Sequence, residues 1–491
     1  MKPNIIFILS DDQSYFAQHK ACPDIITPTL DSLADSGSFF KNCFCASPVC
    51  SPARASILTG TMPSYHGVHD WILSGSVNLK DIPEFSRNRP PVKANEACAI
   101  DYLEGITAYT DILAENGYDI ALSGKWHLGD TFKRRKGYKY WNTILRGGCS
   151  YTSYDMFQEG KVTAHTDYLT DRIADNAVDY LRNHRTDSPF YLGIHFTAPH
   201  TPWDREEHPK EVWDLYEGVS FGSIPWAPVH KNQMVNSFIG DTPQKRVELI
   251  RGYFTAVTAM DAAIGRVLDT VAELGLDKDT IIIFTSDNGM NVGQHGIWGK
   301  GNGTYPQNFY EESIRVPLIL RVPGKRCRVV EDMVSHVDIF PTILSLCGIE
   351  GSPDRPCGSS FAGTLDGEAF SRAYVSVFSE YGAVRMLRDR RYKYVKNYVD
   401  GDDLFFDLEA DSGETVNQIQ NPGYREEISR MRSVLDAGFQ RYADADKDGK
   451  YQFPKGMGQI HLCSRENGRG AYKQDYRMYY EDKSPNPERN P

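Results

Sequence analysis

Four apolar runs recur along the chain, each closing on polar residues: NIIFILS (4–10), YDIALSGKW (118–126), PFYLGIHFTAPH (189–200) and DTIIIFTSDNG (279–289). Short runs without strict alternation predict strands buried on both faces. Between them, apolar positions recur at helical spacing in PTLDSLADSG (28–37), AYTDILAENG (108–117), DYLTDRIADNAVDYLRNH (167–184) and RGYFTAVTAMDAAIGRVLDTVAELG (251–275). The last closes on Gly275, a residue suited to ending a helix. Strands alternating with helices predict an α/β fold, a large, mostly parallel sheet sandwiched by helices. In such sheets chemistry collects where strands end at their carboxyl edge.

Past residue 380 the texture changes. VRMLRDRRYKYVKNYVDGDDLFFDLEADSGE (384–414) alternates in short strands broken by turn signals, and REEISRMRSVLDAGFQRYA (425–443) reads as a helix. We therefore expect a main α/β domain over 1–380 and a smaller C-terminal α+β domain, containing an antiparallel sheet, over 381–491. The tail DKSPNPERNP (482–491) lacks apolar residues and reads as an extended arm. No internal repeat is visible.

Composition narrows the function classes. With 40% hydrophobic and 24% charged residues, 491 residues can build a large core. The formal net charge of −11 argues against nucleic acid or an anionic membrane as partner. Local basic clusters can still serve an anionic substrate. Ile5 to Leu9 is too short for a signal-peptide core, and no apolar run is long enough to span a membrane. The expectation is a cytoplasmic chain with no membrane partner; a removed export signal is the alternative. The ten cysteines form no CxxC pair, which disfavours zinc ribbons and suits reduced, mostly buried thiols.

Two strand ends carry acids: Asp11-Asp12 after the first run, and Asp287-Asn288 after the last. On neighbouring parallel strands these groups converge, and carboxylates that close repel unless a cation sits among them. An all-oxygen donor set suits Ca²⁺ or Mg²⁺ and not zinc. The bland alternative is that each acid pair caps a loop or helix. A second feature is Cys50-Ser51-Pro52-Ala53-Arg54. Ser51 as N-cap and Pro52 as first helical residue would set Cys50 at a helix mouth, where partial positive charge favours anions and thiolates. Arg54, four residues on, shares that helix face.

The string Cys-x-Pro-x-Arg followed by ASILTG (55–60) resembles the signature of the type I, formylglycine-dependent sulfatases of the alkaline-phosphatase-like superfamily. The resemblance covers nearly the whole chain: SDDQ (10–13), GKWHLG (124–129), APHTP (198–202), SDNG (286–289), WGKG (298–301) and FFDLEADSGE (405–414) follow in the family's order. It implies that Cys50 is converted by a separate maturation enzyme to Cα-formylglycine. The hydrated aldehyde offers one hydroxyl to attack sulfur and displace the alcohol. Loss of the proton on the other hydroxyl then re-forms the carbonyl and expels sulfate.

By the same resemblance, Asp11, Asp12, Asp287 and Asn288 hold a divalent cation, Ca²⁺ or Mg²⁺, that also touches residue 50. Asp287 takes the proton of the attacking hydroxyl. Arg54 supports the diol, Lys125 binds the diol or sulfate, and His127 takes the second proton. His200 donates to the leaving oxygen, and Lys300 neutralises sulfate charge.

Other features carry less. His195, inside an apolar run, reads as a satisfied core histidine. His66, His69 and His295 lie near the motifs without matching a signature position, and His295 is a candidate substrate contact. Lys133 to Lys136 reads as a solvated loop. DADKDGKYQF, from Asp444, imitates half an EF-hand, but the twelfth position is Lys455 where a Glu is required, so it reads as a surface turn. Trp71, Trp203, Trp226 and Trp298 flank the motifs and suggest stacking on sugar rings. The expected substrate is a sulfated carbohydrate. Aryl or steroid sulfates, a phosphoric or phosphonic monoester, and a non-catalytic sulfoglycan-binding role with Cys50 unmodified remain as alternatives. Oligomeric state stays open.

Overall fold

The computed structural model describes residues 2–18, 20–87, 98–184, 186–235, 237–370 and 376–474. The predicted tail at 482–491 lies outside them. Ten strands form one sheet: β1 (Asn4–Ser10), β2 (Ser38–Phe44), β3 (Asp119–Gly124), β4 (Tyr138–Ile144), β5 (Tyr154–Gln158), β6 (Lys161–His165), β7 (Phe190–His195), β8 (Thr280–Ser286), β11 (Arg315–Arg321) and β12 (Arg328–Ser335). A small separate hairpin pairs β9 (Asn291–Val292) with β10 (Trp298–Gly299). The sheet order is β12-β2-β11-β8-β1-β7-β3-β4-β5-β6. The sheet is mixed. The block β8-β1-β7-β3-β4 is parallel, and its first four members are the four predicted strands. β11, β5 and β6 run antiparallel to their neighbours.

β1 lies between β7 and β8 in the parallel block and shows why that block holds together. Ile5, Phe7 and Leu9 face one core, with Tyr109, Leu113, Phe340 and Ile343. Ile6 and Ile8 face the other, with Ala174, Ala177, Met260, Ala263 and Ile264. Successive strand residues point to opposite faces, so a strand covered on both sides must be apolar throughout. Each such side chain contributes about 1.5–3 kcal/mol on burial. The second core is closed by the helices Leu169–Asn183 and Pro243–Glu273. The latter starts ahead of the expected Arg251, at Pro243, where the Thr242 side chain accepts from Lys245 N. It ends as expected, with Gly275 left-handed at φ 68°. Among the described residues no helix is long and apolar enough to cross a membrane.

A four-stranded antiparallel sheet follows: β13 (Val377–Tyr381), β14 (Val384–Arg388), β15 (Tyr392–Asn397) and β16 (Leu404–Asp407). The helix Arg425–Tyr442 lays Ile428, Met431, Leu435 and Phe439 on it, against Leu387, Tyr394 and Phe405. This sheet is stitched to the large one: Glu380 N donates to Ala46 O at 2.9 Å, and Ser64 Oγ donates to Glu380 Oε1 at 2.5 Å. Beyond the helix the chain returns to the main body, where Gln459 bridges Ile72.

Candidate active site

Register places the acids. Ser10 and Ser286 are partners on β1 and β8, so Asp11 and Asp287 leave the sheet at one level. Asp12 turns back with φ 69°, a strained value for a residue with a side chain. Donor oxygens of Asp11, Asp12 and Asp287 lie within 4.8 Å of one another, and all three residues are buried. Asn288 Nδ2 donates to Asp12 Oδ1 at 2.8 Å and to Gly289 O, which leaves Asn288 Oδ1 buried with no hydrogen-bond partner. Asp11 Oδ1 is likewise unpartnered. Two orphaned buried acceptors beside three carboxylates fit a hard cation.

The helix behind Cys50 runs from Cys50 to Thr59 and is capped by Val49, not Ser51. Ser51 Oγ instead accepts from Ile72 N at 3.0 Å. Cys50 is therefore the first helical residue, and Pro52 falls where a missing N–H costs nothing. Burial pushes the Cys50 thiol up, against the pull of Lys125 and Lys300. Burial thus works against the thiolate that a helix mouth favours.

Arg54 and Lys125 converge from two elements. Arg54 Nε donates to Asp287 Oδ2 at 2.8 Å and Nη1 to Lys125 O at 3.1 Å. Lys125, one residue past β3, pairs with Asp11 Oδ2. His195 Nδ1 sits 3.1 Å from the same Lys125 O. It is a core histidine as expected, but only half satisfied: Nδ1 is bound and Nε2 is buried without a hydrogen-bond partner.

His127 Nε2 lies 2.9 Å from Ile72 O. A carbonyl only accepts, so Nε2 carries the proton and Nδ1, 3.4 Å from Cys50 Sγ, presents a lone pair. Burial, with Lys125 next, holds His127 well below the usual histidine range, and it stays neutral. His200 Nδ1 donates to Thr201 O at 2.7 Å, which turns Nε2 toward Asp12 Oδ2 at 3.8 Å. Its side chain is 24% exposed, the most open of the group, so the site is reached from this side. Lys300 Nζ lies 2.6 Å from Asp12 Oδ1.

Charge within the cluster is shared unevenly. Burial pushes both Asp11 and Asp287 up, but Lys125, His200, Lys300 and Arg54 hold Asp11 well below the carboxylate range. The charge on Asp11 then helps push Asp287 up to about 7, despite Arg54 and Lys125. A cation held among these carboxylates would offset the repulsion between Asp11 and Asp287.

All ten residues singled out by sequence therefore meet at one edge of the sheet. Two residues that sequence reasoning passed over join them: Ile72, whose carbonyl fixes His127, and Gly147, where a Cβ would sit 2.1 Å from His127 Cε1. No local signal marks either. Other expectations change. Trp203 and Trp298 are 1% and 3% exposed and pack in the core, so neither stacks on a ligand. Trp71 is half-buried, its Nε1 on Gly456 O at 3.0 Å, and Trp226 is 64% exposed. His66 bonds Ser56 and Val68, and His69 bonds Lys447 O. His295 stacks on Tyr310 and lies 3.0 Å from Glu312. His295, Glu312 and Glu414 also bring donor atoms together, but Glu414 is already met by Lys393 Nζ at 2.6 Å. Lys133, Arg135 and Lys136 are matched by Asp101, Asp111 and Glu115. In the EF-hand-like turn, Asp448 pairs with Arg385 and Asp446 accepts from Arg465 N.

The sulfatase family model matches residues 3–349. A model described as N-sulphoglucosamine sulphohydrolase, C-terminal, matches residues 293–440. An N-acetylglucosamine-6-O-sulfatase of Bacteroides thetaiotaomicron is 26% identical, over 91% of this chain and 88% of its own. A choline-sulfatase of Rhizobium meliloti is 28% identical, over 86% and 83%. A solved structure in complex with its substrate D-glucosamine-2-N,6-O-disulfate superposes with a TM-score of 0.74 at 23% identity, covering 91% of this chain and 99% of that one.

Proposed function

The chain belongs to the sulfatase family, the sulfuric ester hydrolases, and on that premise we propose that it desulfates a sulfated carbohydrate using a formylglycine made from Cys50. The observation that carries this reading is the meeting of Cys50, Arg54, Lys125, His127 and Lys300 with Asp11, Asp12 and Asp287 in one buried cluster. A maturation enzyme that oxidises Cys50 is a required partner.

Asp11, Asp12, Asp287 and Asn288 would hold Ca²⁺ or Mg²⁺, their orphaned oxygens supplying hard donors. When bound, the ion polarises a sulfate oxygen and balances the carboxylates. Formylglycine hydrate supplies the attacking hydroxyl and, after transfer, the second hydroxyl whose deprotonation releases sulfate.

The protein's own groups do the rest. Lys125 and Lys300 are cations fixed in a dry site, where they stabilise transferring negative charge without reorganising. Arg54 ties Asp287 to the Lys125 carbonyl and so holds the helix mouth against the sheet edge. His127 Nδ1 faces residue 50 as an acceptor, the geometry of a base for the releasing step. Asp287, held by Arg54 Nε at 2.8 Å, takes the proton of the attacking hydroxyl. His200, at the open side, gives a proton from Nε2 to the departing oxygen only as the imidazolium, a form that burial disfavours and that Asp12 and Asp11 favour. The carbohydrate reading rests on the N-acetylglucosamine-6-O-sulfatase relative and on the 64% exposed Trp226.

Peptide mass spectrometry across Cys50, with turnover of 4-nitrophenyl sulfate, 4-nitrophenyl phosphate and a panel of sulfated sugars, tests the reading. We expect a mass lower by roughly 18 Da, for loss of the thiol and gain of the aldehyde, and sulfate turnover above phosphate. An active sample with unmodified Cys50, or a preference for phosphate, would overturn it.

A further inference from the structure

After β4 the chain crosses the carboxyl edge of the sheet as Gly147-Gly148. Neither glycine has a left-handed φ, so the backbone there admits any residue. Space excludes one. A Cβ on Gly147 would lie 2.1 Å from Cε1, 2.2 Å from Nε2 and 2.6 Å from Nδ1 of His127. A Cβ on Gly148 would lie 3.3 Å from His200 Cε1.

The His127 ring has little room to retreat. Nε2 is tied to Ile72 O, Nδ1 faces Cys50 Sγ, and the residue's own backbone sits at φ 55°. A methyl group at residue 147 must therefore push the ring off Ile72 O. That frees the tautomer, and the Nδ1 lone pair no longer faces residue 50. His200 is different: its side chain is 24% exposed and can shift by the few tenths of an ångström needed.

We propose that Gly147 is a positioning residue for sulfate-ester hydrolysis, its bare Cα being the wall against which His127 presents Nδ1 to residue 50. Gly148 leaves a looser clearance beside His200. The inference rests on the role given to His127 above.

The test is a double-mutant cycle of Gly147→Ala and His127→Ala, with kcat and KM for 4-nitrophenyl sulfate, formylglycine content by mass spectrometry, and imidazole ¹⁵N NMR of His127. Gly147→Ala is expected to lower kcat by about 10²-fold or more, as for loss of a general base, with KM changed by less than about threefold. Gly148→Ala should lose less. Added to His127→Ala, the Gly147 substitution should cost nothing further, because the ring it displaces is gone. NMR should show one Nε2–H tautomer in the wild type and a mixture in Gly147→Ala. A kcat within about threefold of wild type, or an equal loss in both backgrounds, overturns the proposal. If Gly147→Ala does not fold, the double variant is expected to fold, since it removes the ring that the methyl meets; failure of both also overturns it. The NMR result does not depend on turnover. A wild type inactive toward every sulfate ester but with the tautomer shift would refute the functional reading and leave the steric one standing.

Discussion

Lys300 and Asp12 meet at 2.6 Å, Nζ to Oδ1, across 288 residues of sequence, and both side chains are buried. Among the described residues Asp12 Oδ1 otherwise accepts only from Asn288 Nδ2. Lys300→Ala should therefore strand a buried carboxylate, costing about 3–5 kcal/mol. Part of that loss should return on adding Ca²⁺ or Mg²⁺, which offsets the same charge. Thermal melts of the variant with and without metal check this; a variant as stable as wild type without metal would refute the pairing argument.

Removal of divalent cations should lower both activity and melting temperature, and Ca²⁺ or Mg²⁺ should restore both. The expectation follows from the unpartnered Asp11 Oδ1 and Asn288 Oδ1. Elemental analysis finding stoichiometric zinc, with activity lost on its selective removal, contradicts the all-oxygen assignment.

Cys50→Ala should abolish sulfatase activity with little change in melting temperature, because Cys50 is the first helical residue, the change in side-chain volume is small, and among the described residues its polar contact is His127 Nδ1. Cys50→Ser should also fail to turn over: a serine sulfate ester has no second hydroxyl through which to expel sulfate. Residual kcat within about tenfold of wild type for either variant would end the formylglycine proposal.

How much of this was legible in the sequence depended on where each residue gets its environment. β1, β3, β7 and β8 announce themselves because both faces are covered, and an apolar run has no other use at that length. β2, with its buried positions interrupted by Lys41 and Asn42 in SFFKNCF, and β6, with no buried residue in KVTAH, look like loops or helix edges. The donor sets were legible because Asp11-Asp12 and Asp287-Asn288 are neighbours in sequence at strand ends. Gly147 was not, because its constraint comes from a ring on another strand's exit. Ser51-Pro52 misled as a cap because Ser51 is taken by Ile72, a contact no local pattern encodes. Trp203 and Trp298 misled because a tryptophan beside a motif looks the same whether it faces a ligand or the core.

Asp261 supplies a pH-dependent term remote from the site. Its two oxygens accept from Thr29 N and Leu30 N at 2.9 and 2.8 Å, capping the helix Pro28–Ser36, whose own N-cap residue Thr27 makes no side-chain capping bond. Burial nevertheless pushes Asp261 up to about 6, against those hydrogen bonds. A carboxyl raised in the folded state binds its proton more tightly there than in the unfolded chain. The stability that the protonated form contributes is full below the unfolded value near 3.8 and is lost as pH rises through about 6. The wild-type stability, measured relative to Asp261→Asn, should fall by about 3 kcal/mol between about pH 4 and pH 7. A difference that stays flat with pH would show that Asp261 is not raised.

His200 divides two roles by leaving group. Its Nδ1–H is committed to Thr201 O, so it can give a proton only as the imidazolium, from Nε2, on the side of Asp12 and the open face. A sugar alcohol is a far poorer leaving group than nitrophenol, and help from an acid is worth typically ~10²–10⁴-fold where the leaving group is poor. If His200 is that acid, His200→Ala should depress kcat/KM for a sugar sulfate much more than for 4-nitrophenyl sulfate. If it only contacts the sulfate, the two substrates should lose alike, because the sulfate is common to both. The comparison needs the variant and the wild type on one substrate of each kind, at matched formylglycine content. Equal losses would transfer the proton-donor role to Lys300, whose Nζ is the other N–H donor beside Asp12 outside the Asp-Asn pair. Unequal losses in the expected direction would fix the ester oxygen next to His200 Nε2.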